Sequence, residues 1–410
     1  MLSFKTYLSE AAGKNTHMTH IEDRVIYGGV KGAREAIFAL RAMRDMLAGN
    51  SNENYDVTVK WDGAPAVFAG IDPTDGQFFV AKKGIFNKDP KVYKSEADVR
   101  ADTSGDLAEK LVVAFNELKK LNIKGVIQGD IMFTKGDVSK EKIDGEAYYT
   151  FQPNTIVYSV PVNSDLGKTI AKAKIGVVFH TTYEGSSFEN MKAKFSVDMN
   201  SLKKTPSVWF QSAEYRDITG KAKLSKADTK EVSDSLSRAG KIFQKIAGST
   251  LRQIENNPAL AQQLETFNNT LVRKGERIGN PSTHVNNLIT WFKNKFEKER
   301  EKRKSPRGKE GVDKKEQELM KFFSPSNKKN LELIFELQNA LVDAKLLIIN
   351  KLDSVKQMKT FVRTKNGFKV TGSEGFVAID KTSDGAVKLV DRLEFSMNNF
   401  SKDVIKGWER

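Results

Sequence analysis

The sequence predicts an α+β protein of mixed, mainly antiparallel sheets, interrupted by a large all-helical insertion. Short apolar, β-favouring runs bounded by turn residues recur from about residue 55 to 180 and again from 367 to 390. The stretch between them carries apolar residues at helical spacing among many charges. With 410 residues, the chain is long enough for well-buried cores in more than one domain.

Composition narrows the classes of function. The chain has 67 Lys and Arg against 52 Asp and Glu, a net charge of +15 that suits a polyanionic partner such as nucleic acid. It contains no cysteine, which excludes disulfides and cysteine-zinc sites. No apolar run approaches the length of a membrane span, and the N-terminus lacks the apolar region of a signal peptide. We therefore expect a soluble protein with no membrane partner.

Residues 1–14 form a separate N-terminal segment that begins with the amphipathic stretch MLSFKTYLSEAA. This stretch resembles the N-terminal capsid-targeting peptides of T-even-like phage internal proteins, which a prohead protease cuts after Leu/Ile-x-Glu. Leu8-Ser9-Glu10 would be the cleavage site. The resemblance implies a tailed-phage protein in the host cytoplasm that is also packaged into the phage head, with the protease as a partner. The alternative is an ordinary first helix.

Residues 15–185 are predicted to form the first part of the main domain. Residues 31–47 place Ile37, Leu40, Met43 and Leu47 on one helical face, which predicts a helix packed on a sheet. Strands are then predicted at residues 55–59, 66–71, 77–82, 125–133, 155–160 and 175–180, and an amphipathic helix at 106–121.

Residues 186–360 are predicted to be the helical insertion. Helices are expected at residues 226–245, 249–274, 283–304 and 313–364, with breaks near Pro258 and Pro325. Residues 361–410 return to strands, at 367–370, 375–380 and 385–390, and complete the main domain.

One short stretch carries the strongest chemical signal. Two β-favouring runs, at residues 57–59 and 66–70, flank the turn Lys60-Trp61-Asp62-Gly63. Such a turn lifts one lysine out of a sheet and holds it rigidly. A lysine that attacks phosphorus needs desolvation or neighbouring cations, because both lower the pKa of an amine.

The turn resembles motif I of the covalent nucleotidyltransferases, the superfamily of ATP-dependent DNA ligases, RNA ligases and mRNA capping enzymes. Later stretches resemble the other motifs of that superfamily in the same order: residues 78–84 motif Ia, 126–133 motif III, 155–160 motif IIIa, 374–379 motif IV and 386–390 motif V. An ordered series is far more specific than one motif. The chain departs from the pattern at Asp130, where the family usually has glutamate, and at Lys388, where many members carry two lysines.

The resemblance implies roles for individual residues. Lys60 would attack the α-phosphate of ATP, Asp62 would orient Lys60, and Lys388 would stabilise the charge that builds on the phosphate. Asp130 and Glu374 would hold Mg²⁺, with the ribose as an alternative partner for Asp130. The residues implied to bind the nucleotide are Lys60, Gly63, Lys82, Lys83, Asp130, Tyr158, Glu374 and Lys388.

Two of these assignments remain open at this point. Either Lys82 or Lys83 would add positive charge beside Lys388. Tyr158 is the candidate for stacking on adenine, with Phe179 as a competitor, and a plain core aromatic is the alternative.

The function implied is that of an ATP-dependent polynucleotide ligase of RNA-ligase type, which uses ATP and Mg²⁺ to join 5′-phosphate and 3′-hydroxyl ends of nucleic acid. RNA is preferred because too few residues follow Lys388 for the C-terminal OB domain of cellular DNA ligases. One alternative is an ATP-dependent DNA ligase that seals nicks. The other is a catalytically inactive, ligase-fold phage protein that binds nucleic acid.

Overall fold

A computed structural model describes residues 19–49, 55–214, 224–353, 358–372, 374–380 and 385–409. The predicted targeting peptide and its cleavage site lie outside the described residues. The helices are α1 Arg24–Tyr27, α2 Gly29–Leu47, α3 Glu96–Asp102, α4 Gly105–Leu118, α5 Asp165–Lys172, α6 Lys226–Lys245, α7 Gly248–Glu255, α8 Pro258–Val272, α9 Pro281–Glu301, α10 Pro306–Phe322, α11 Pro325–Asp353 and α12 Arg392–Phe400. The strands are β1 Tyr55–Lys60, β2 Ala66–Ile71, β3 Phe78–Ala81, β4 Val126–Thr134, β5 Ser139–Ile143, β6 Glu146–Phe151, β7 Ile156–Pro161, β8 Ile175–Glu184, β9 Lys192–Lys194, β10 Val208–Ser212, β11 Lys359–Thr364, β12 Gly367–Val370, β13 Gly375–Asp380, β14 Gly385–Leu389 and β15 Val404–Ile405.

These elements form three sheets, and the α+β class with mainly antiparallel pairing is confirmed. The first sheet has the strand order β1-β13-β14. The second has the order β10-β8-β4-β2-β3, with β9 paired to β8. The third has the order β12-β11-β7-β6-β5, with β15 paired to β11. Among the described strand pairs, β10 with β8 is parallel and the others are antiparallel.

The first sheet joins the two ends of the chain. Lys60, the last residue of β1, pairs with Gly375 at the start of β13. On the other side of β13, Val377 pairs with Lys388 of β14. A strand from the first part of the chain therefore pairs with two consecutive strands near residue 380 in one small sheet.

The second and third sheets enclose a core that is rich in aromatic side chains. Phe133 of β4, Phe151 of β6 and Trp209 of β10 pack there with centroid distances of 4.8 to 6.5 Å. This core holds β4 and β7 close to the turn that follows β1, because Trp61 of that turn packs against it.

The helical region shares one core with the first sheet. Leu40 of α2 and Leu236 of α6 are buried in the same cluster as Phe376 and Leu389 of that sheet. The insertion therefore continues the core of the main domain through α2, because α2 packs on α6 and also on β1.

The predicted limits of the long helices differ from the structure at both ends of the insertion. Strands β9 and β10 lie after residue 186, and the long helices begin only at Lys226. At the other end, residues 359–364 form β11, although the sequence predicted a helix through residue 364. Phe361 and Val362 are buried there, and Phe361 packs with Tyr148 and Val157 in a small core.

Candidate active site

The centre of the site is an ion pair between Lys60 and Glu374. The Lys60 ammonium contacts the Glu374 carboxylate, and the two side chains are 23% and 8% exposed. The contact follows from strand register, because Lys60 is paired with Gly375 and Glu374 immediately precedes Gly375. Burial raises the pKa of Glu374, and the positive charge of Lys60 opposes that shift. The site thus holds a lysine against a carboxylate with a strengthened affinity for a proton.

Lys388 adds a second ammonium group to the same sheet edge. Burial lowers its pKa, repulsion from Lys60 lowers it further, and the carboxylate of Glu374 opposes the shift. The backbone N–H of Lys388 donates to the carbonyl oxygen of Thr19 at 3.0 Å, so the beginning of the described chain closes the edge of this sheet.

Asp62 is buried and anchors the turn that carries Lys60. Its carboxylate accepts hydrogen bonds from the Asn154 side chain at 2.7 Å and from the backbone N–H groups of Thr155 and Ile156 at 2.7 and 2.9 Å. These three bonds bind Asp62 to the loop before β7 and fix the turn that carries Lys60. That Asp62 orients Lys60 stays a prediction.

Gly63 is required by the close approach of this turn to β4. A Cβ atom at position 63 would lie 2.5 Å from the Cβ of Asp130 and 3.0 Å from the sulfur of Met132. Even the smallest side chain would push the turn away from β4, because real Cβ contacts are longer than this. Gly63 thus sets the distance between Lys60 and Asp130.

Asp130 is the carboxylate that β4 contributes to the site. Burial raises its pKa to about 7, while Lys60 and Lys83 favour the ionised form and Glu374 and Asp62 oppose it. The imidazole of His180, on β8, faces it with Nε2 3.7 Å from Oδ2.

The two lysines after β3 have different surroundings. Lys82 forms an ion pair with Asp102 at 3.2 Å, and its ammonium nitrogen lies 5.8 Å from the centroid of the Tyr93 ring. Asp102 therefore neutralises the charge of Lys82. Lys83 is exposed, and its charge acts on Asp130. Of the two candidates, Lys83 is the one whose charge lowers the pKa of Asp130, whereas Lys82 is paired with Asp102.

Tyr158 is a core residue, and its predicted stacking on adenine is wrong. Its ring stacks on Trp61 at 5.2 Å and on Phe151 at 5.6 Å, so both faces are covered. Its hydroxyl oxygen accepts a hydrogen bond from the backbone N–H of Asp62 at 2.8 Å. The competitor Phe179 is also fully buried, beside Phe210.

Helix α12 covers the site from the C-terminal side. The ring centroid of Phe395 lies 6.0 Å from the Lys60 Nζ. Between this helix and the turn is a small pocket, lined by Asp62, Thr155, Ile156, Glu374, Asp391, Glu394, Phe395, Asn398 and Asn399. The sequence did not predict α12, so its residues were missed as candidates.

The residues of the site fit a nucleotide and Mg²⁺. Asp130 and Glu374 supply the oxygen ligands that Mg²⁺ prefers, and Lys60, Lys83 and Lys388 suit phosphate oxygens. In the described part of the chain, no group of three or more His, Asp or Glu side chains is arranged to hold a metal ion. A divalent cation would therefore be held by the two carboxylates together with water and phosphate, as Mg²⁺ commonly is.

Two further residues at the site escaped the sequence interpretation. Asn154 binds Asp62, and a polar residue directly before an apolar strand was the available signal for it. His180 was recognised only as the end of a strand. Its role depends on which strand lies beside β4, which the sequence does not reveal.

The fold and the site define an α+β protein whose lysine-carboxylate centre is assembled from both ends of the chain. The model of a family of unknown function (DUF6267) matches residues 15–404, and the chain belongs to that family. No curated protein and no solved structure matches the chain. Over the described residues, no helix combines the length and apolar character that crossing a membrane requires.

Proposed function

We propose that this protein has a nucleotidyltransferase fold and is an ATP-dependent polynucleotide ligase of RNA-ligase type, which joins 5′-phosphate and 3′-hydroxyl ends through a lysyl-AMP intermediate. One observation carries the proposal. The Lys60 amine lies against Glu374 and interacts electrostatically with Lys388 and Asp130, although these residues belong to segments far apart in sequence. A chance Lys-x-Asp-Gly turn would not gather these particular side chains.

In the first step, Lys60 attacks the α-phosphorus of ATP. A nitrogen–phosphorus bond forms, the bond from that phosphorus to the bridging oxygen breaks, and pyrophosphate leaves. The Lys60 ammonium must first lose a proton, and Glu374 is in contact to take it. Lys388 and Lys83 stabilise the negative charge on the phosphate oxygens. When bound, Mg²⁺ adds charge neutralisation of the same kind.

Two further transfers complete the reaction. An oxygen of a 5′-phosphate end displaces Lys60 from AMP, which restores the free amine. The 3′-hydroxyl of the other end then attacks the 5′-phosphorus and AMP leaves. Both substrates are polyanions, which agrees with the net charge of +15.

Covalent labelling tests the proposal. The purified protein is incubated with ATP labelled at the α-phosphate and Mg²⁺, and denatured protein is examined for bound label. We expect labelling of the wild type and none of Lys60→Arg, because an arginine side chain is not a nucleophile at neutral pH. Lys88→Arg, at an exposed lysine in the loop after β3, is the matched control and should keep the label.

Two results would contradict the proposal: label retained by Lys60→Arg, or a wild type that takes no label from ATP. The second result, combined with salt-sensitive binding of nucleic acid, would favour the inactive nucleic-acid-binding alternative.

The choice between RNA and DNA is tested with the labelled enzyme. Single-stranded RNA with a 5′-phosphate and nicked duplex DNA are supplied in parallel, and joined products are separated by length. We propose RNA as the substrate, so joined RNA is expected. Exclusive sealing of the nicked duplex would instead identify the DNA-ligase alternative.

The phage origin and the packaging into the phage head are proposals that rest on residues 1–14. Protein recovered from phage particles is examined by N-terminal sequencing. A mature chain that starts at Ala11, directly after Glu10, would support cleavage by a prohead protease. An intact N-terminus in the particle would contradict it.

A further inference from the structure

A β-bulge aims His180 at Asp130. Along the ladder between β4 and β8, Gln128 pairs with Thr181 and Gly129 pairs with Phe179. His180 lies between these pairs and has no residue opposite it, so it is the extra residue of the bulge. Bulges bend a strand and redirect one side chain, and they are frequent beside active sites.

Gly129 allows β8 to approach closely at the bulge. A Cβ atom at position 129 would lie 2.6 Å from the carbonyl oxygen of Val178 and 2.8 Å from the ring of Phe179. Because β8 is this close to β4, the His180 ring reaches the carboxylate of Asp130, with 3.7 Å between Nε2 and Oδ2. This separation is longer than a hydrogen bond, so donation requires the two atoms to approach by about 0.5 Å.

The hydrogen bond at Nδ1 of His180 determines whether Nε2, the nitrogen that faces Asp130, carries a hydrogen. Nδ1 lies 2.7 Å from the hydroxyl oxygen of Thr181. A neutral imidazole has a single N–H, so a Thr181 hydroxyl that donates to Nδ1 leaves the N–H on Nε2. That tautomer presents a donor to Asp130, whereas the opposite tautomer would present a lone pair to a carboxylate.

We propose that His180 is a positioning residue that donates from Nε2 to Asp130 and fixes the orientation of its carboxylate. The contact itself does not depend on the enzymatic reaction. Its consequence rests on the proposed function: a carboxylate held in one orientation binds Mg²⁺ more tightly, because it loses less freedom when the cation arrives.

Nuclear magnetic resonance of ¹⁵N-labelled histidine tests the contact directly. The spectrum of the wild type is compared with that of Asp130→Asn, and His180→Leu identifies the His180 signals. We expect the Nε2–H tautomer, with signals that shift in Asp130→Asn. An Nδ1–H tautomer, or signals unchanged in Asp130→Asn, would overturn the proposal whether or not the protein is labelled by ATP.

The Mg²⁺ dependence of Lys60 labelling tests the consequence. His180→Leu should raise the Mg²⁺ concentration for half-maximal labelling about tenfold, the usual effect of removing a partner of a metal ligand. His180→Gln retains a side-chain N–H donor and should restore most of the loss. His284→Leu removes another buried histidine, which binds Asn268 within the helical region, and should leave the Mg²⁺ dependence unchanged.

The outcomes separate the two claims. If His180→Leu lowers the melting temperature without raising the Mg²⁺ concentration for half-maximal labelling, the residue is merely structural and the positioning role is refuted. If the wild type is never labelled, the proposed function fails, while the tautomer and the response to Asp130→Asn still decide whether the contact exists.

Discussion

Asp130 is a carboxylate whose surroundings oppose its charge. Burial raises its pKa to about 7, well above the value of about 3.9 expected in an unfolded chain. The folded state therefore binds a proton more readily than the unfolded state between these two values. Stability linked to Asp130 is full below pH 4 and is lost as the pH rises through 7. Such a loss of stability is expected at a site residue whose function requires an ionised side chain.

The stability lost on ionisation of Asp130 leads to the first prediction. Asp130→Asn should raise the free energy of unfolding at pH 8 by roughly 2 to 4 kcal/mol, because the amide carries no charge to desolvate. The gain should shrink as the pH falls from 8 toward 4. Urea unfolding at pH 8 and pH 5 measures it. Equal gains at the two pH values would mean that the ionisation of Asp130 is not the cause.

Gly63 leads to a prediction about the distance between the Lys60 turn and β4. Gly63→Ala should lower stability by about 1 to 3 kcal/mol, because its Cβ would overlap the Asp130 side chain. It should also reduce Lys60 labelling about tenfold or more, since small displacements of reacting groups are costly. The matched control is Gly136→Ala, where a Cβ would meet nothing within 4 Å. Labelling of Gly63→Ala at the wild-type rate would show that this contact does not position Lys60.

At the scale of elements, α12 is held over the site by buried charges. Arg392 donates to Asp23 at 2.9 Å, and Glu22 pairs with Lys345 of α11 at 2.9 Å. At the other end of the helix, the Asn399 side-chain oxygen accepts a hydrogen bond from the Thr155 hydroxyl at 3.0 Å. The residues just before α1, helix α11 and helix α12 are thus joined by buried charges.

This arrangement predicts a large effect of one arginine. Arg392→Met should lower the free energy of unfolding by about 3 kcal/mol, because Asp23 would remain buried without its cationic partner. Arg238→Met is the control, since Arg238 pairs with Asp343 at an exposed position where such pairs contribute less than about 1 kcal/mol. Similar losses in the two variants, measured by urea unfolding, would refute a special role for the buried pair.

The elements also show where sequence interpretation fails. Strands β7 and β8 are both apolar runs, and Tyr158 of β7 was predicted to stack on the adenine of the nucleotide. The structure places β7 in the third sheet and β8 beside β4. Tyr158 therefore enters the core, and His180 reaches the site. Local pattern identifies a strand but does not state its neighbours.

At the scale of the whole molecule, the net charge of +15 favours electrostatic binding of a polyanion such as the proposed substrate. If three or more phosphates are contacted, the Kd for a single-stranded RNA should rise about tenfold or more between 50 and 200 mM salt. Lys60 labelling by ATP should change less, because the site charges are partly buried. Fluorescence anisotropy and labelling at both salt concentrations measure the two effects. A Kd that is the same at both salt concentrations would contradict electrostatic binding.

The sequence by itself determined the local elements. Residues 66–71 and 226–245 were predicted as β2 and α6 with the bounds they have in the structure, because their apolar spacing and flanking turn residues suffice to specify them. The sequence also singled out Lys60, Glu374 and Lys388. It missed the hairpin β5–β6, because Lys140, Glu141 and Lys142 make β5 too polar to be recognised as a strand.

Only the tertiary structure decided which segments meet. The pairing of β1 with β13 brings Glu374 to Lys60, the bulge in β8 brings His180 to Asp130, and the buried pair of Arg392 with Asp23 brings α12 over the amine. Each contact joins residues from distant parts of the chain. Such contacts depend on surfaces that exist only once the whole core is buried, and no local pattern of residues encodes them.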